Sequence, residues 1–373
     1  IEHLLFKGTA KRATSSDISA AIEGVGGILN GGTDKELTLY WCKVAQTHFS
    51  LALDVLVDML LHSKFDPSEI ERERPVIIDE INMSKDSPPQ QVNLLTDALL
   101  WPGHPLGRDI AGTKESMAGI TREMILDYLN NRYQPNNTAV AIAGNIQHQE
   151  IVSAVSQAVA NWTNQQPRPG YSPYQEQPNP RLKVEKRDTE QAHLCLALPG
   201  LPILDPRRFT LDLLNTILGE GMSSRLFTEI RDKLGLAYSI HSYIDHFLDS
   251  GSLIIYAGLE PKNLSAGISA ILEQLALLKE PIPESEISKA KEMVKGRLLL
   301  RMEDTRDVAS LLGGQEILTG RILTLDDIVA KVDAITADEL KQMARELVIG
   351  DRLRLAVVGP VSDDAPLEKL LKL

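Results

Sequence analysis

The chain has 373 residues, 43% of them hydrophobic, and a formal net charge of −12. This length allows two domains with substantial cores, and no apolar run reaches the ~18 residues that a membrane-spanning helix needs. The negative charge argues against a nucleic-acid ligand, because phosphate contacts need clustered Lys and Arg. Cys42 and Cys195 lie in apolar segments. They fit buried thiols better than a disulfide, so we expect a reducing, cytoplasmic compartment and no membrane partner.

The first feature along the chain is the dipeptide Glu2-His3, in a short helical segment. Glu80 follows after 76 intervening residues, and Glu73 precedes Glu80 by two helical turns, on the same face of a charged helix. Pro75 lies between the two carboxylates and removes a backbone donor, so it can bend that helix.

The next elements form the rest of the first half. A helix is predicted from Ser15 to Glu23, ending at Gly24. The Gly-rich residues 24–33 read as a tight helix-to-strand connection, since no strand precedes them and no Lys-Ser/Thr follows as in a phosphate-binding loop. The remaining predictions are a strand over Leu37–Val44 and helices over Thr47–His62, Pro67–Ser84 and Gln91–Leu100.

Residues 165–180 contain five prolines in sixteen positions, which excludes a helix or a central strand. We therefore predict domains at 1–164 and 187–373, joined by an extended linker over 165–186. In the second half we predict a strand over Ala192–Leu198, helices over Arg208–Leu218 and Ser223–Leu234, and strands around Ser239 and Ile254. Each half reads as an α+β domain, a sheet packed on helices.

The two halves carry similar patterns at one offset. Ile120-Thr121-Arg122-Glu123 precedes a helical pattern and an apolar run ending at Gly144, and Ile335-Thr336-Ala337-Asp338 begins the same order 215 residues later (120 to 335), ending at Gly359. A shared offset indicates duplication. At this offset His3 corresponds to Leu218 and Glu80 to Lys295, so the second half shows no metal site of its own.

Taken together, Glu-His, the following Leu-Leu-Phe-Lys-Gly-Thr, the gap to Glu80 and the Glu-x6-Glu pair resemble the inverzincin site of the M16 family of metallopeptidases, the relatives of pitrilysin, insulin-degrading enzyme and mitochondrial processing peptidase. The resemblance implies two homologous domains of the LuxS/MPP-like metallohydrolase type, paired like a clam around a cavity. The first His of the His-x-x-Glu-His motif would fall two positions before Ile1.

Zinc hydrolases commonly take three protein ligands and a water, and a Glu beside a ligand can accept a proton from that water. By this logic His3 and Glu80 are zinc ligands, Glu2 is the general base and Glu73 holds a ligand or a water in place. His and carboxylate donors suit zinc, although manganese or cobalt could substitute. With two of three ligands in this chain, we expect an empty or partly occupied site.

Two further segments resemble family motifs. Arg231 and Tyr238 are seven residues apart; in the family such a pair faces the zinc from the other domain, where Tyr can donate to the oxyanion and Arg can hold the substrate. Gly27 to Thr33 resembles Gly-x-x-Asn-Ala-x-Thr, with Gly31 in place of Ala. By this resemblance Asn30 belongs to a substrate-binding strand, although shaping a turn is the alternative.

The resemblance therefore implies a zinc-dependent endopeptidase that cleaves peptides or unfolded segments in an enclosed cavity and works as a homodimer. Two alternatives stay open at this stage. In the first alternative, the chain is a non-catalytic M16 homologue that serves as a peptide-binding or assembly subunit. In the second, it is a fragment that is inactive because the first ligand His is missing. The presence of Glu2, His3, Glu73, Glu80 and the pair in the second half favours an active ancestor.

Overall fold

The computed structural model describes the chain except residues 165–169, 171, 177–179 and 362–364. Its α-helices are α1 (Glu2–Leu5), α2 (Ser15–Glu23), α3 (Phe49–His62), α4 (Pro67–Asp86), α5 (Pro88–Leu100), α6 (Lys114–Gly119), α7 (Arg122–Arg132), α8 (His148–Ala158), α9 (Arg208–Gly219), α10 (Leu264–Leu277), α11 (Glu284–Arg301), α12 (Thr305–Thr319), α13 (Leu325–Ala334), α14 (Ala337–Leu347) and α15 (Ala365–Leu370). Its strands are β1 (Ile28–Thr33), β2 (Thr38–Lys43), β3 (Leu182–Lys186), β4 (Ala192–Pro199), β5 (Ala237–His246), β6 (Gly251–Leu259) and β7 (Arg354–Gly359). The α+β class is as predicted.

The chain packs as two compact units. Unit 1 contains Ile1–Asn82, Ile110–Gly170 and Arg301–Ile322, and unit 2 contains Met83–Asp109, Tyr171–Leu300 and Leu323–Leu373. Each unit thus takes one segment from the opposite half of the sequence. The predicted limits of 1–164 and 187–373 stay a prediction about the sequence halves. In the described part of the chain, no helix is both long and apolar enough to cross a bilayer.

Unit 1 is built around α1, α2, α3 and the β1–β2 hairpin. Leu4 and Leu5 of α1 are buried together with Ile18 and Ile22 of α2 and Val55 of α3. Burial of two adjacent leucines anchors a helix of only four residues, which would not persist alone in water. The polar residues of α1 are thereby held at a defined place on unit 1.

Local sequence signals set the ends of α2 as predicted. The Thr14 side chain accepts a hydrogen bond from the Asp17 N–H, and the Asp17 carboxylate accepts one from the Thr14 N–H, which is a capping box. The helix ends at Gly24.

The predicted loop at 24–33 is wrong over its second part, because Ile28–Thr33 forms β1, antiparallel to β2 with Ile28 opposite Lys43 and Thr33 opposite Thr38. Glycine is unfavourable in strands, so Gly31 weakens the prediction of a strand from the sequence. At this position, however, only a residue without a side chain fits. A Cβ at Gly31 would come within 3.2 Å of Glu2, Phe6 and Tyr40. Glycine in this strand marks a close approach of other side chains.

Unit 2 contains a five-stranded sheet in the order β3-β7-β4-β6-β5. β3 pairs with β7 in parallel, and the other neighbours are antiparallel. Helices cover both faces: Leu194 and Ile255 belong to the core shared with α9, α10 and α14, whereas Cys195 and Ile254 belong to the core shared with α5. This double coverage explains why β4 and β6 are apolar almost throughout.

The predicted repeat is visible in local structure. Helix α14 begins 215 residues after α7 (122 to 337), each helix has a threonine N-cap, and a 3₁₀ turn follows at Pro135–Asn137 and again at Gly350–Arg352. The following strand appears in the second copy only, as β7. Among the described residues the sheet of unit 1 contains β1 and β2 alone, so residues 138–144 are not paired with a strand.

Two other predictions need correction. The predicted linker extends to residue 186, but Leu182–Lys186 forms β3, because Leu182 and Val184 pack against the core of unit 2; residues 165–169, 171 and 177–179 of that linker lie outside the described residues. The predicted α-helix over Ser223–Leu234 is a π-helix at Phe227–Lys233, in which the Leu234 N–H reaches back to the Glu229 carbonyl. Wide turns of this kind are frequent at functional sites.

Candidate functional site

Helices α1 and α4 bring three of the predicted site residues together in unit 1. His3 Nδ1 lies 2.8 Å from Glu73 Oε1, and His3 Nε2 lies 3.8 Å from Glu80 Oε1. Helix α4 continues through Pro75, so the expected bend does not separate the two carboxylates. One imidazole ring is therefore placed between two glutamates that are two helical turns apart.

Glu73 determines which nitrogen of His3 is free. An ionised carboxylate only accepts hydrogen bonds, so His3 donates its Nδ1–H to Glu73. The lone pair of the neutral ring is then on Nε2, the atom directed at Glu80. A histidine that gives one N–H to a carboxylate and offers its other nitrogen is arranged as metal-binding histidines usually are.

Glu73 is almost entirely buried, with 9% of its side chain exposed, and has a second partner in Lys7. Lys7 Nζ lies 2.6 Å from Glu73 Oε2. Burial by itself raises the pKa of Glu73, but hydrogen bonds from Lys7 and His3 outweigh it and hold the pKa below its usual value. The carboxylate is therefore ionised at neutral pH, as the hydrogen bond from His3 requires.

Glu2 is positioned by the strand that follows α2. The Thr33 hydroxyl donates a hydrogen bond of 2.5 Å to Glu2 Oε2. Gly31, on the same strand, leaves the space in which the Glu2 side chain lies. The sequence motif had singled out Thr33, but without a contact to Glu2; the two residues are 31 positions apart, so no local pattern shows their pairing.

The donor atoms of His3 and Glu80 fit zinc in type and separation. Zinc bonds of about 2.0–2.2 Å to imidazole nitrogen and carboxylate oxygen can be made by two atoms 3.8 Å apart. Among the described residues, no group of three or more His, Cys, Asp or Glu side chains could hold a metal ion. The assignment of His3 and Glu80 as zinc donors stays a prediction; Glu73 is hydrogen-bonded to His3, and Glu2 precedes it in the chain.

Asn30 lies on β1 with its side chain turned back on its own backbone. Its Oδ1 accepts a hydrogen bond of 2.8 Å from the Gly31 N–H. This contact lies within strand β1, where Asn30 is opposite Trp41, and not in a turn. Its role in binding substrate stays a prediction.

In unit 2, the π-helix and the start of β5 bring Arg231 and Tyr238 together. The guanidinium carbon of Arg231 lies 4.7 Å from the ring centre of Phe227 and 5.7 Å from that of Tyr238. Tyr238 is 75% exposed, so its hydroxyl is not part of a core. Phe227, which the sequence reading missed, supports Arg231 from one helical turn away by a cation–π contact.

Family profiles match both halves of the chain. The profile described as insulinase, peptidase family M16, matches residues 1–114, and the profile described as the peptidase M16 inactive domain matches residues 119–294. The candidate metal residues lie in the first match and the Arg231–Tyr238 pair lies in the second.

Similar proteins and structures cover nearly the whole chain. An uncharacterized zinc protease of Streptomyces coelicolor is 37% identical over 97% of this chain and 80% of its own length. The uncharacterized zinc protease YmxG of Bacillus subtilis is 36% identical over 96% of this chain and 87% of its own length. The crystal structure of a protease from Helicobacter pylori has the same fold, with a TM-score of 0.87 at 22% identity over 96% of this chain and 88% of that one. With this similarity extending through both halves, the chain belongs to peptidase family M16.

Proposed function

We propose that this protein is a zinc-dependent endopeptidase of the inverzincin type, which cleaves peptides or unfolded segments in an enclosed cavity. The observation that carries the proposal is the convergence of His3 Nε2 and Glu80 Oε1, with the Nδ1–H of His3 given to Glu73. The relatives described as zinc proteases support the choice of metal and reaction class.

Each residue has a distinct part in the proposed chemistry. His3, Glu80 and a third donor would hold the zinc, which would supply Lewis-acid catalysis when bound. Glu2 takes a proton from the attacking water and passes it to the leaving amine. The Thr33 hydroxyl orients the Glu2 carboxylate through the hydrogen bond at 2.5 Å. In the family's manner, Tyr238 donates to the oxyanion.

The expected partners and compartment belong to the same proposal. We propose an extended peptide or unfolded polypeptide as substrate, a homodimer as the working form, and no nucleic-acid or membrane partner. Cys42 and Cys195 are both free thiols, and burial raises the pKa of Cys195 to about 12. Unpaired, unreactive thiols are consistent with a reducing, cytoplasmic compartment.

The test compares three variants of the full-length protein. Glu2→Gln keeps the size and hydrogen bonding of the base, so we expect normal zinc content but peptide hydrolysis slower by roughly 100–10,000-fold. Glu80→Gln should lose zinc. Asp79→Asn is the matched control, because Asp79 is an exposed carboxylate beside Glu80 on α4. Elemental analysis and cleavage of a fluorogenic unfolded peptide give the two readouts. Parental hydrolysis by Glu2→Gln would remove Glu2 from the mechanism.

The second candidate function is a non-catalytic subunit that binds peptides. It is favoured by one observation, the match of residues 119–294 to a profile described as an inactive domain. Zinc-loaded protein that binds an unfolded peptide in fluorescence anisotropy, but leaves it intact, would decide for this candidate.

A further inference from the structure

Lys7 is bound to the same carboxylate as His3. His3 lies in α1 and Lys7 lies two residues beyond its end. Glu73 of α4 contacts both: Oε1 is 2.8 Å from His3 Nδ1 and Oε2 is 2.6 Å from Lys7 Nζ. Lys7 itself is 30% exposed at the side chain, whereas Glu73 is 9% exposed. Within the described part of the chain, each oxygen of this nearly buried carboxylate therefore has one partner.

The turn that carries Lys7 is fixed by contacts of its own. Gly8 has a φ of +131°, and a Cβ there would come within 2.4 Å of the Ala13 carbonyl oxygen. The Thr9 hydroxyl donates a 2.5 Å hydrogen bond to the buried Asp58. The turn after Lys7 therefore requires glycine at position 8, and a buried hydrogen bond ties the following residue to α3.

Removal of Lys7 would take from the buried Glu73 Oε2 the partner that it has among the described residues. A carboxylate with one free oxygen can rotate about its last bond to seek water, and the oxygen that receives the His3 N–H moves with it. The imidazole of His3 would then lose the contact that fixes its tautomer and its ring orientation. Loss of a residue that hydrogen-bonds to a metal ligand typically weakens metal binding by about 10–100-fold.

We propose that Lys7 is a positioning residue of the metal site, which locks Glu73 so that His3 carries its proton on Nδ1 and presents Nε2 toward Glu80. This inference rests on the proposed function. Lys7 touches neither substrate nor reacting atoms in this role; it acts through Glu73 alone.

The test uses the full-length protein with Lys7→Met, Lys7→Gln and Lys7→Arg, and Lys11→Met as the matched control. Lys11 also forms an ion pair, with Asp54, but at the surface, where 59% of its side chain is exposed. Zinc affinity is measured by competition with a chelator, and the tautomer of His3 is measured in metal-free protein by 15N NMR of the imidazole. The thermal midpoint of unfolding checks that each variant is folded.

We expect Lys7→Met to bind zinc about 10–100-fold more weakly than the parent. Its His3 should also show an increased share of the tautomer protonated on Nε2. Lys7→Arg should restore both properties, and Lys7→Gln, which keeps a donor without the charge, should lie between; Lys7→Gln decides the matter if Lys7→Met does not fold. Lys11→Met should behave as the parent does.

Two results would overturn the inference while leaving the proposed function intact. One is parental zinc affinity and an unchanged His3 tautomer in a folded Lys7→Met or Lys7→Gln variant. The other is an equal loss in Lys11→Met, which would indicate an effect of net charge. If the parent protein itself has no measurable zinc affinity, the proposed function and this inference fall together.

Discussion

The buried ion pair of Arg12 and Asp58 in unit 1 allows a quantitative prediction about stability. Asp58 is 1% exposed at the side chain, and its Oδ2 accepts hydrogen bonds from Arg12 at 2.9 Å and from Thr9 at 2.5 Å. Arg12 is 14% exposed and also bridges to Asp54. The perturbation is Arg12→Met, which keeps most of the aliphatic stem and removes the guanidinium.

The expected loss in the free energy of unfolding follows from the burial of Asp58, which Arg12→Met leaves without its cation. Breaking a buried pair by removing one partner costs ~3–5 kcal/mol, because an uncompensated charge is left inside. Asp58 keeps the Thr9 hydrogen bond, so we expect the lower end, ~3 kcal/mol. Lys11→Met removes the cation of the Lys11–Asp54 pair, which is 59% and 41% exposed, and should cost no more than ~1 kcal/mol.

The assay must report on unit 1, since a chain with two units need not unfold in a single step. We suggest urea denaturation followed by hydrogen exchange of the segment 49–62, which carries Asp58. A further variant combines Arg12→Met with Asp58→Leu. Removing both charges should recover part of the loss instead of adding to it, since the buried charge is gone.

Two outcomes would refute this reasoning. If Arg12→Met destabilises unit 1 no more than Lys11→Met does, Asp58 is not held as a buried charge. If the double variant is less stable than Arg12→Met alone, the cost of Arg12→Met does not come from the unpaired carboxylate.

Three further predictions concern unit 2. Tyr238→Phe should lower kcat by ~100–1,000-fold with little change in KM, as expected of an oxyanion donor; equal losses in kcat and in substrate affinity would contradict it. Burial lowers the pKa of His246, but its bonds to Asp212 and the Leu201 carbonyl raise it above the ordinary value overall, so its stabilising effect is complete at mildly acidic pH and is lost as pH rises through the raised pKa. His246→Asn should therefore destabilise unit 2 more in mildly acidic than in mildly alkaline urea titrations. Cys195, fully buried, should react with a thiol reagent only when unit 2 unfolds, which mass spectrometry can follow.

The elements that the sequence predicted well are those with local signals. Helix α2 has its threonine cap and its terminal glycine within eleven residues, and α9 and β4 end within one residue of the predicted positions. Such signals depend on backbone groups and side chains close together in the chain, so no tertiary information is needed to read them. The grouping of His3 with Glu73 and Glu80 was predictable because the spacing of these residues along the chain resembles that of the family motif.

Other features had no local signal. The strand β1 depends on hydrogen bonds to β2, and its Gly31 is needed only because Glu2, Phe6 and Tyr40 approach it. The π-helix at Phe227–Lys233 has the residue types of an ordinary amphipathic helix; its wider turn accompanies complete burial of Ile230.

The sequence alone thus determined the α+β class, the helices with their caps, the family and the identities of the residues offered to a metal. These depend on residue type, periodicity and spacing along the chain. Only the tertiary structure decided that Lys7 shares a carboxylate with His3 and that Thr33 bonds to Glu2. The reason is that a hydrogen bond needs atoms within about 3 Å, and the chain brings residues 66 or 31 positions apart to that distance only through the packing of unit 1.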